Sequence, residues 1–279
     1  MNPFTELAAA LAAKRLIPYL GPGLLELCPD YAVPATPQAL VQKLTAKSPV
    51  PGKIRNNLTR SAQFIENFKH RKTLVALMNE AFAAAPACSP LHEALAKLQL
   101  PLIVDAWYDD ASLTAFTRLA GESWIQIQGL SQSEHFGQWC GAYDARGTGI
   151  AMPAQGQSLL YKPLGGHAPA GNYLVSDTDF VEVLTEIDIQ TPIPAPVQQL
   201  RAGRSFLFLG CRFDDQLYRA FARQIMKRSS QRHWAVLPEA PTRMEARFLA
   251  EQNIERIAMP LAEFAERFMA LSAPSAAAA

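Results

Sequence analysis

The sequence predicts an α/β protein built on a doubly wound parallel sheet that carries a small helical module. Three observations predict it. Short apolar runs alternate with amphipathic stretches of helical length through the last third of the chain, a pattern that calls for parallel strands joined by right-handed crossovers. Glycines recur at the ends of several of those runs. The 279 residues, 49% of them hydrophobic, suffice for one large domain with a full core.

Along the chain, MNPFTELAAALAAKRL resembles a leader peptide only in its alanines. Glu6 interrupts it and its basic residues come last, so it reads as a short amphipathic helix. RLIPYLGPGLLEL reads as a strand, a tight loop at Gly21–Pro22–Gly23 and a further turn or helix. Pro18 inside that run argues against a central, fully paired strand. Residues 36–98 form the predicted helical module, whose last helix starts at Ser89–Pro90 with serine as cap and proline in the first turn. LPLIVDAWYDD is a buried strand running into Asp105, Asp109 and Asp110. In 111–160, ESWIQIQGL suits a strand, but the segment as a whole reads as irregular or lid-like. SLLYKPLGG is a strand ending at Gly165–Gly166, followed by a helix opened at Asp177 or Thr178.

The clearest unit is RSFLFLGCRFDDQLYRAFARQIMKRSS: a strand at 205–209, a turn at Gly210 and a helix at 217–226. WAVLP, TRMEARFLAEQNI, a strand at 255–259 and LAEFAERFMAL complete the alternation. Residues 1–272 are thus expected to form one domain and 273–279 a disordered tail.

A net charge of +1 gives no electrostatic reason to expect nucleic acid or an acidic membrane as partner. Charged residues are 18% of the chain, below the roughly 25% that is usual, which points to extra buried surface and a homo-oligomer. Cys28, Cys88, Cys140 and Cys211 include no C-x-x-C pair, so buried thiols are expected rather than zinc or disulfides. No apolar run approaches the roughly 20 residues that span a bilayer, and a cytoplasmic location is expected.

In an open parallel sheet a ligand lies beyond the carboxyl ends of the strands. Gly21, Pro22, Gly23, Gly165, Gly166 and Gly210 stand at such ends, where a residue without a Cβ lets backbone N–H groups approach phosphate oxygens. The same glycines suit ordinary turns. Asp214 and Asp215 suit a ribose hydroxyl or, as the simpler reading, a helix cap. Arg219, Arg223, Lys227 and Arg228 recur at helical spacing, which reads as a solvated face. Of five histidines, His167 sits in a glycine-rich stretch where it can line a cleft, and is the candidate general base.

Taken in order, these segments resemble the sirtuin-like family of bacterial proteins over about residues 14–268. IPYLGPGLL resembles its first phosphate loop, SPLHEALAKLQLPLIVDAWYDD its helix and Thr-Thr-Asn-Tyr-Asp strand, LYKPLGG its Leu-His-Gly strand, and FLFLGCRFDD its late Gly-Tyr-Ser-Phe-x-Asp segment. The resemblance implies a Rossmann-like fold and NAD or an ADP-ribose-type nucleotide as ligand. It assigns cofactor contacts to Gly21, Pro22, Gly23, Trp107, Gly165, Gly166, Gly210 and Asp215, and catalytic interest to Asp109 and His167. The departures are specific. Trp107 stands where the family has its catalytic asparagine, and Gly165 where it has its catalytic histidine. Loss of a positioned general base typically removes a factor of about 10²–10⁴. Three functions follow as expectations: a catalytically degenerate nucleotide-binding sensor or scaffold, an NAD-cleaving hydrolase with a rearranged base, or an interaction protein whose cleft is plugged by Trp107, Leu24 and Leu25.

Overall fold

The computed structural model of the chain describes residues 3–84, 86–153, 157–186 and 192–272. The expected tail at 273–279 and residues 154–156 of the expected lid lie outside them. In chain order the elements are α1 (Pro3–Ala12), β1 (Leu16–Leu20), a 3-10 turn (Pro22–Leu27), α2 (Pro37–Lys47), α3 (Leu58–Lys69), α4 (Arg71–Phe82), α5 (Pro90–Leu98), β2 (Leu102–Asp105), α6 (Ala111–Leu119), β3 (Trp124–Gly129), β4 (Cys140–Tyr143) and β5 (Gly149–Ile150). There follow β6 (Ser158–Lys162), β7 (Gly165–Gly166), β8 (Asn172–Tyr173), α7 (Asp177–Glu186), α8 (Ala195–Arg201), β9 (Ser205–Leu209), α9 (Gln216–Met226), β10 (His233–Val236), α10 (Arg243–Glu251), β11 (Ile254–Ile257) and α11 (Leu261–Ser272).

The main sheet runs β11-β10-β9-β1-β2-β6-β3-β4-β5, parallel as far as β3 and antiparallel at β4 and β5. Its strands are apolar on both faces because both faces are covered, and the two-residue period of a strand divides each run between two cores. Ile17, Tyr19, Phe206, Phe208, Leu102 and Val104 face α2, α3, α4, α7 and α9. Leu16, Leu20, Leu207, Leu209 and Ile103 face α1, α5, α6 and α11. The module that stands out from the sheet is therefore α2–α4, while α5 packs with α6 in the other layer. No helix among the described residues is long and apolar enough to cross a membrane.

Two expectations are corrected. β1 is a central strand despite Pro18, pairing β9 along its whole length and β2 only at Tyr19 and Leu20. Gly21 N–H donates to Leu209 O on the β9 side and Leu20 O accepts from Ala106 N–H on the β2 side. Strand alternation then turns Pro18 toward β2 at the first rung of that ladder, so the N–H it lacks falls at the end of the pairing and not within it. The segment 111–160 is not irregular either: it holds α6 and the sheet strand β3. Buried Gln126 and Gln128 disguise that strand; both donate Nε2 to Ala168 O, at 3.0 and 2.8 Å, and Gln128 Oε1 accepts from Ala170 N–H at 3.3 Å, while Gln126 Oε1 is buried without a partner.

A charged clasp fixes the helical module against the sheet. Arg71, at the start of α4, meets Glu66 of α3 at 3.4 Å, Glu134 at 3.2 Å and Asp179 of α7 at 3.0 Å, and donates to Tyr173 O. The buried Asp179 also accepts from Val175 N–H and Ser176 N–H at 2.9 Å and from Ser131 Oγ at 2.6 Å.

Candidate functional site

Strand order leaves β1 in opposite directions, toward β9 and toward β2, and a crevice opens beyond the carboxyl end of β1. It is a cavity of about 170 Å³ between Gly21–Pro22–Gly23, the start of α2, Ala106–Trp107, Gly210–Asp214 and Tyr218. Of the residues expected there, Gly21, Pro22, Gly23, Trp107 and Gly210 line it, while Asp109, Gly165, Gly166, His167 and Asp215 do not. Leu24 and Leu25, expected as plugs, are buried in the two cores instead.

The glycine loop spends its donors on the protein itself. Gly21 N–H donates to Leu209 O and Gly23 N–H to Gly210 O, both at 2.9 Å, Leu24 N–H donates to Gly21 O at 3.1 Å, and Pro22 has no N–H. The glycines are needed because two backbone loops touch. Gly210 has φ +66°, and a Cβ there would stand 2.3 Å from Leu24 N, while one on Gly21 would stand 2.6 Å from Gly210 O. A donor without a partner stands at the start of α2, which lines the crevice. Thr36 caps that helix through Ala39 N–H at 3.0 Å, and Gln38 N–H has no partner among the described residues. A helix N-terminus with a free N–H favours an anion. Glu26 and Asp214 also line the cavity and supply carboxylate acceptors. Arg212 lines it too, but is held by Glu245 at 3.0 Å and Glu239 at 2.7 Å.

Trp107 closes the inner wall. The residue is 1% exposed, its Nε1 donates to Pro34 O at 2.8 Å, and its ring packs on Tyr108 and Phe82 at 4.9 and 6.1 Å between centroids. Gly165 has φ +78°, and a Cβ on it would stand 2.1 Å from Asn172 O, because β7 lies against β8 there. No side chain fits at that position.

The acidic strand end holds a second cluster. Lys162, at the end of β6 and 0% exposed, donates to Asp105 Oδ2 and to Asp109 O, both at 2.9 Å. Gly166 leaves room for it, since a Cβ there would come within 2.6 Å of Lys162 Cε. Burial, reinforced by Asp105, pushes the Asp109 carboxyl up to about 7, against the opposing pull of Lys162. Asp109 Oδ1 accepts from Ala111 N–H at 2.8 Å. Burial lowers His92 to about 4, and its Nδ1 lies 2.8 Å from Ser89 Oγ.

Asp110 and His167 form a pair. Oδ2 meets Nδ1 at 2.8 Å, while Oδ1 accepts from Ala168 N–H at 3.1 Å and His167 N–H donates to Tyr108 O at 2.9 Å. The imidazole is 29% exposed, and its Nε2 has no hydrogen bond among the described residues. A histidine held at one ring nitrogen by a fixed carboxylate presents the other for proton transfer. Asp215 is a helix cap, its Oδ1 accepting from Leu217 N–H at 2.7 Å.

Sequence reasoning missed Lys162, the Asp110 partner of His167, and Gln38. A lysine closing an apolar strand is the one signal that pointed to the first. The four cysteines are free thiols. Among the described residues no group of His, Cys, Asp and Glu is placed to hold a metal ion.

Set beside known proteins, residues 101–257 match the family model of the SIR2-like domain. No curated protein matches the chain. The matched span contains the Trp107 wall, the acidic cluster, Gly165 and the β9 loop, and it exceeds half of the 279 residues. The chain belongs to the SIR2-like domain family.

Proposed function

We propose that the chain binds NAD or an ADP-ribose-type nucleotide in the crevice and does not cleave it by the family's usual route, serving as a sensor or scaffold. The SIR2-like family is NAD-related, and the crevice fits part of such a ligand. Gln38 N–H at the start of α2 suits a phosphate, Glu26 and Asp214 suit ribose hydroxyls, and Tyr218 and Phe221 give an apolar wall for a base. The nicotinamide end fits poorly. Trp107 occupies the inner wall, and about 170 Å³ is small beside the roughly 300–1,000 Å³ of ordinary ligand pockets. The observation that carries the reading is Gly165, a position that admits no side chain and at which the resemblance puts the family's base.

The test is thermal stability together with nicotinamide release, followed with NAD and with ADP-ribose. Stabilisation by either nucleotide without release is expected. If neither shifts stability at millimolar concentration, nucleotide binding is wrong and the reading of an interaction protein with an occluded cleft replaces it.

The Asp110–His167 pair favours one second reading, NAD cleavage with a relocated base. His167 does not line the crevice, so this reading requires the nicotinamide end to extend beyond it; Nε2 would then take the proton of a water that attacks the ribose C1′ as the bond to nicotinamide breaks, while Asp110 steadies the imidazolium. Release of nicotinamide that disappears in His167→Ala supports this reading, and release that persists in that variant eliminates it.

A further inference from the structure

The floor of the crevice carries two hydroxyls that the fold does not use. Tyr19 is the last residue of β1 on the face toward α2 and α9; it is 5% exposed, with its ring 4.9 Å from that of Phe208. Tyr218 stands in the first turn of α9, its ring edge-on to Phe180 at 5.8 Å. Phe221 and Ala222 follow at the spacing that puts them on the same helix face, and all four residues line the cavity. Neither hydroxyl has a hydrogen-bond partner among the described residues. Neither is among the polar atoms sealed from solvent without one, so both open on the cavity.

Buried polar groups are ordinarily paired, and two phenols elsewhere in this core obey. Tyr108 Oη donates to Leu174 O at 2.8 Å and Tyr173 Oη to Asn79 Oδ1 at 2.6 Å. Tyr161 also lacks a partner, but the hollow it lines is about 10 Å³, room for a water at most. The crevice differs in scale. Its volume of about 170 Å³ slightly exceeds the roughly 150 Å³ of an engineered apolar cavity that holds one benzene ring. A phenylalanine at either position would supply the same ring with no polar atom to satisfy.

The lining is graded from floor to mouth. Tyr19, Trp107, Leu164, Phe213 and Phe221 are uncharged, whereas the charged lining residues, Glu26, Arg212 and Asp214, are exposed and stand at the mouth. Burial raises both phenols above the ordinary tyrosine value, reinforced by Cys211 at Tyr19 and by Asp215 at Tyr218, so both stay protonated and able to donate. An anion would have to leave water for a floor without a cation. A plain hydrocarbon would leave the hydroxyls unpaired. A flat, uncharged ring with acceptor atoms on its edge satisfies both requirements.

We propose that Tyr19 and Tyr218 are specificity-determining residues of the crevice, donating to the ring nitrogens of an uncharged heteroaromatic base seated on its floor. Of the two rings of NAD only the adenine is uncharged, so the base enters first and leaves its ribose and phosphates at the mouth, beside Glu26, Asp214 and the start of α2. The identity of the base rests on the proposed nucleotide ligand; the ring seat does not.

The test is titration calorimetry of the full chain with adenosine and with ADP-ribose, on the parent, Tyr19→Phe, Tyr218→Phe and the double variant. Each substitution keeps the ring and removes a hydroxyl without a partner in the protein, so the thermal midpoint without ligand should not fall. Saturable adenosine binding that weakens at least about threefold in each single variant, the worth of one neutral hydrogen bond, is expected, with ADP-ribose weakened in parallel. A lower midpoint in either variant would overturn the proposal by giving the hydroxyls to the fold. Adenosine binding unchanged in the double variant overturns it too, since the hydroxyls then bond only solvent. The nucleotide reading fails separately. ADP-ribose binding undiminished in the double variant leaves that reading standing and removes the ring seat. Adenosine binding that depends on both tyrosines, with no binding of ADP-ribose, does the reverse. Absence of binding by either at about 10 mM, roughly the limit of a weak site, overturns both.

Discussion

Gly165→Ala tests whether the backbone has closed the position at which the resemblance puts the family's histidine. Two contributions should add. At φ +78° a residue with a Cβ is in the left-handed region, at a cost of about 1–2 kcal/mol. The new methyl would then stand 2.1 Å from Asn172 O and 2.9 Å from the carbonyl carbon, and relief requires β7 to part from β8. Overpacking of that kind costs about 1–3 kcal/mol, so the total is roughly 2–5 kcal/mol, a large share of the 5–15 kcal/mol that stabilises a typical domain. Two controls separate the contributions. Gly121 has φ +67° and nothing within 4 Å of where a methyl would sit, so Gly121→Ala reports backbone strain alone. Gly149 has open space and no positive φ, so Gly149→Ala should stay within about 0.5 kcal/mol of the parent. Urea unfolding of the three variants gives the comparison. Gly165→Ala no more destabilising than Gly121→Ala would refute the claim that no side chain fits, and Gly165→His would then become a reasonable route to restored cleavage.

Two further outcomes follow from buried charge. Burial holds His92 and His233 neutral, each near 4 instead of 6.5, so both contribute stability that is present above 6.5 and lost as pH falls toward 4. Asp109 is raised from 3.8 to about 7 and works the other way, favouring the fold in acid and losing that contribution as pH rises through 7. Between pH 4.5 and 6 the folded chain with Asp109→Asn should therefore lose stability more steeply with acid than the parent, by about 1.4 kcal/mol per pH unit; parallel slopes in urea titrations would contradict the assignment. Lys162→Met strands the buried Asp105 carboxylate and should cost about 3–5 kcal/mol, with partial recovery in the double variant carrying Asp105→Asn. Equal stability of the two variants by chemical denaturation would show that the pair is not coupled.

Where local pattern and tertiary role agree, the fold was legible. Ser205–Leu209, Gly210 and the helix after it form one apolar strand, one turn and one amphipathic helix, and the structure keeps all three. α6 was not legible, because ASLTAFTRL mixes threonine and serine with short apolar residues and gives no clean stripe. β3 was recognised as a strand, but not as an interior one, since Gln126 and Gln128 look like solvent-facing positions until Ala168 O is brought over them. Pro18 misled for a related reason: the rule concerns bonds lost inside a ladder, and on the β2 side Pro18 stands at the ladder's end. At the site, glycine type alone could not say whether the N–H groups face a ligand or a second loop. That depends on Gly210 O, about 190 residues further along the chain, and no local pattern encodes it.

The Arg71 clasp has a consequence for how anything reaches the crevice. Swinging α2–α4 away from the sheet as a rigid lid would separate Arg71 from Glu134, Asp179 and Tyr173 O together, and expose the otherwise buried Asp179. Such a hinge is costly, and entry must instead come from smaller adjustments at the mouth, where Arg212, Glu26 and Gln38 stand. A ligand of the crevice, as proposed above, would then have to fit an aperture of nearly fixed size, so its cross-section would count before its polar groups do.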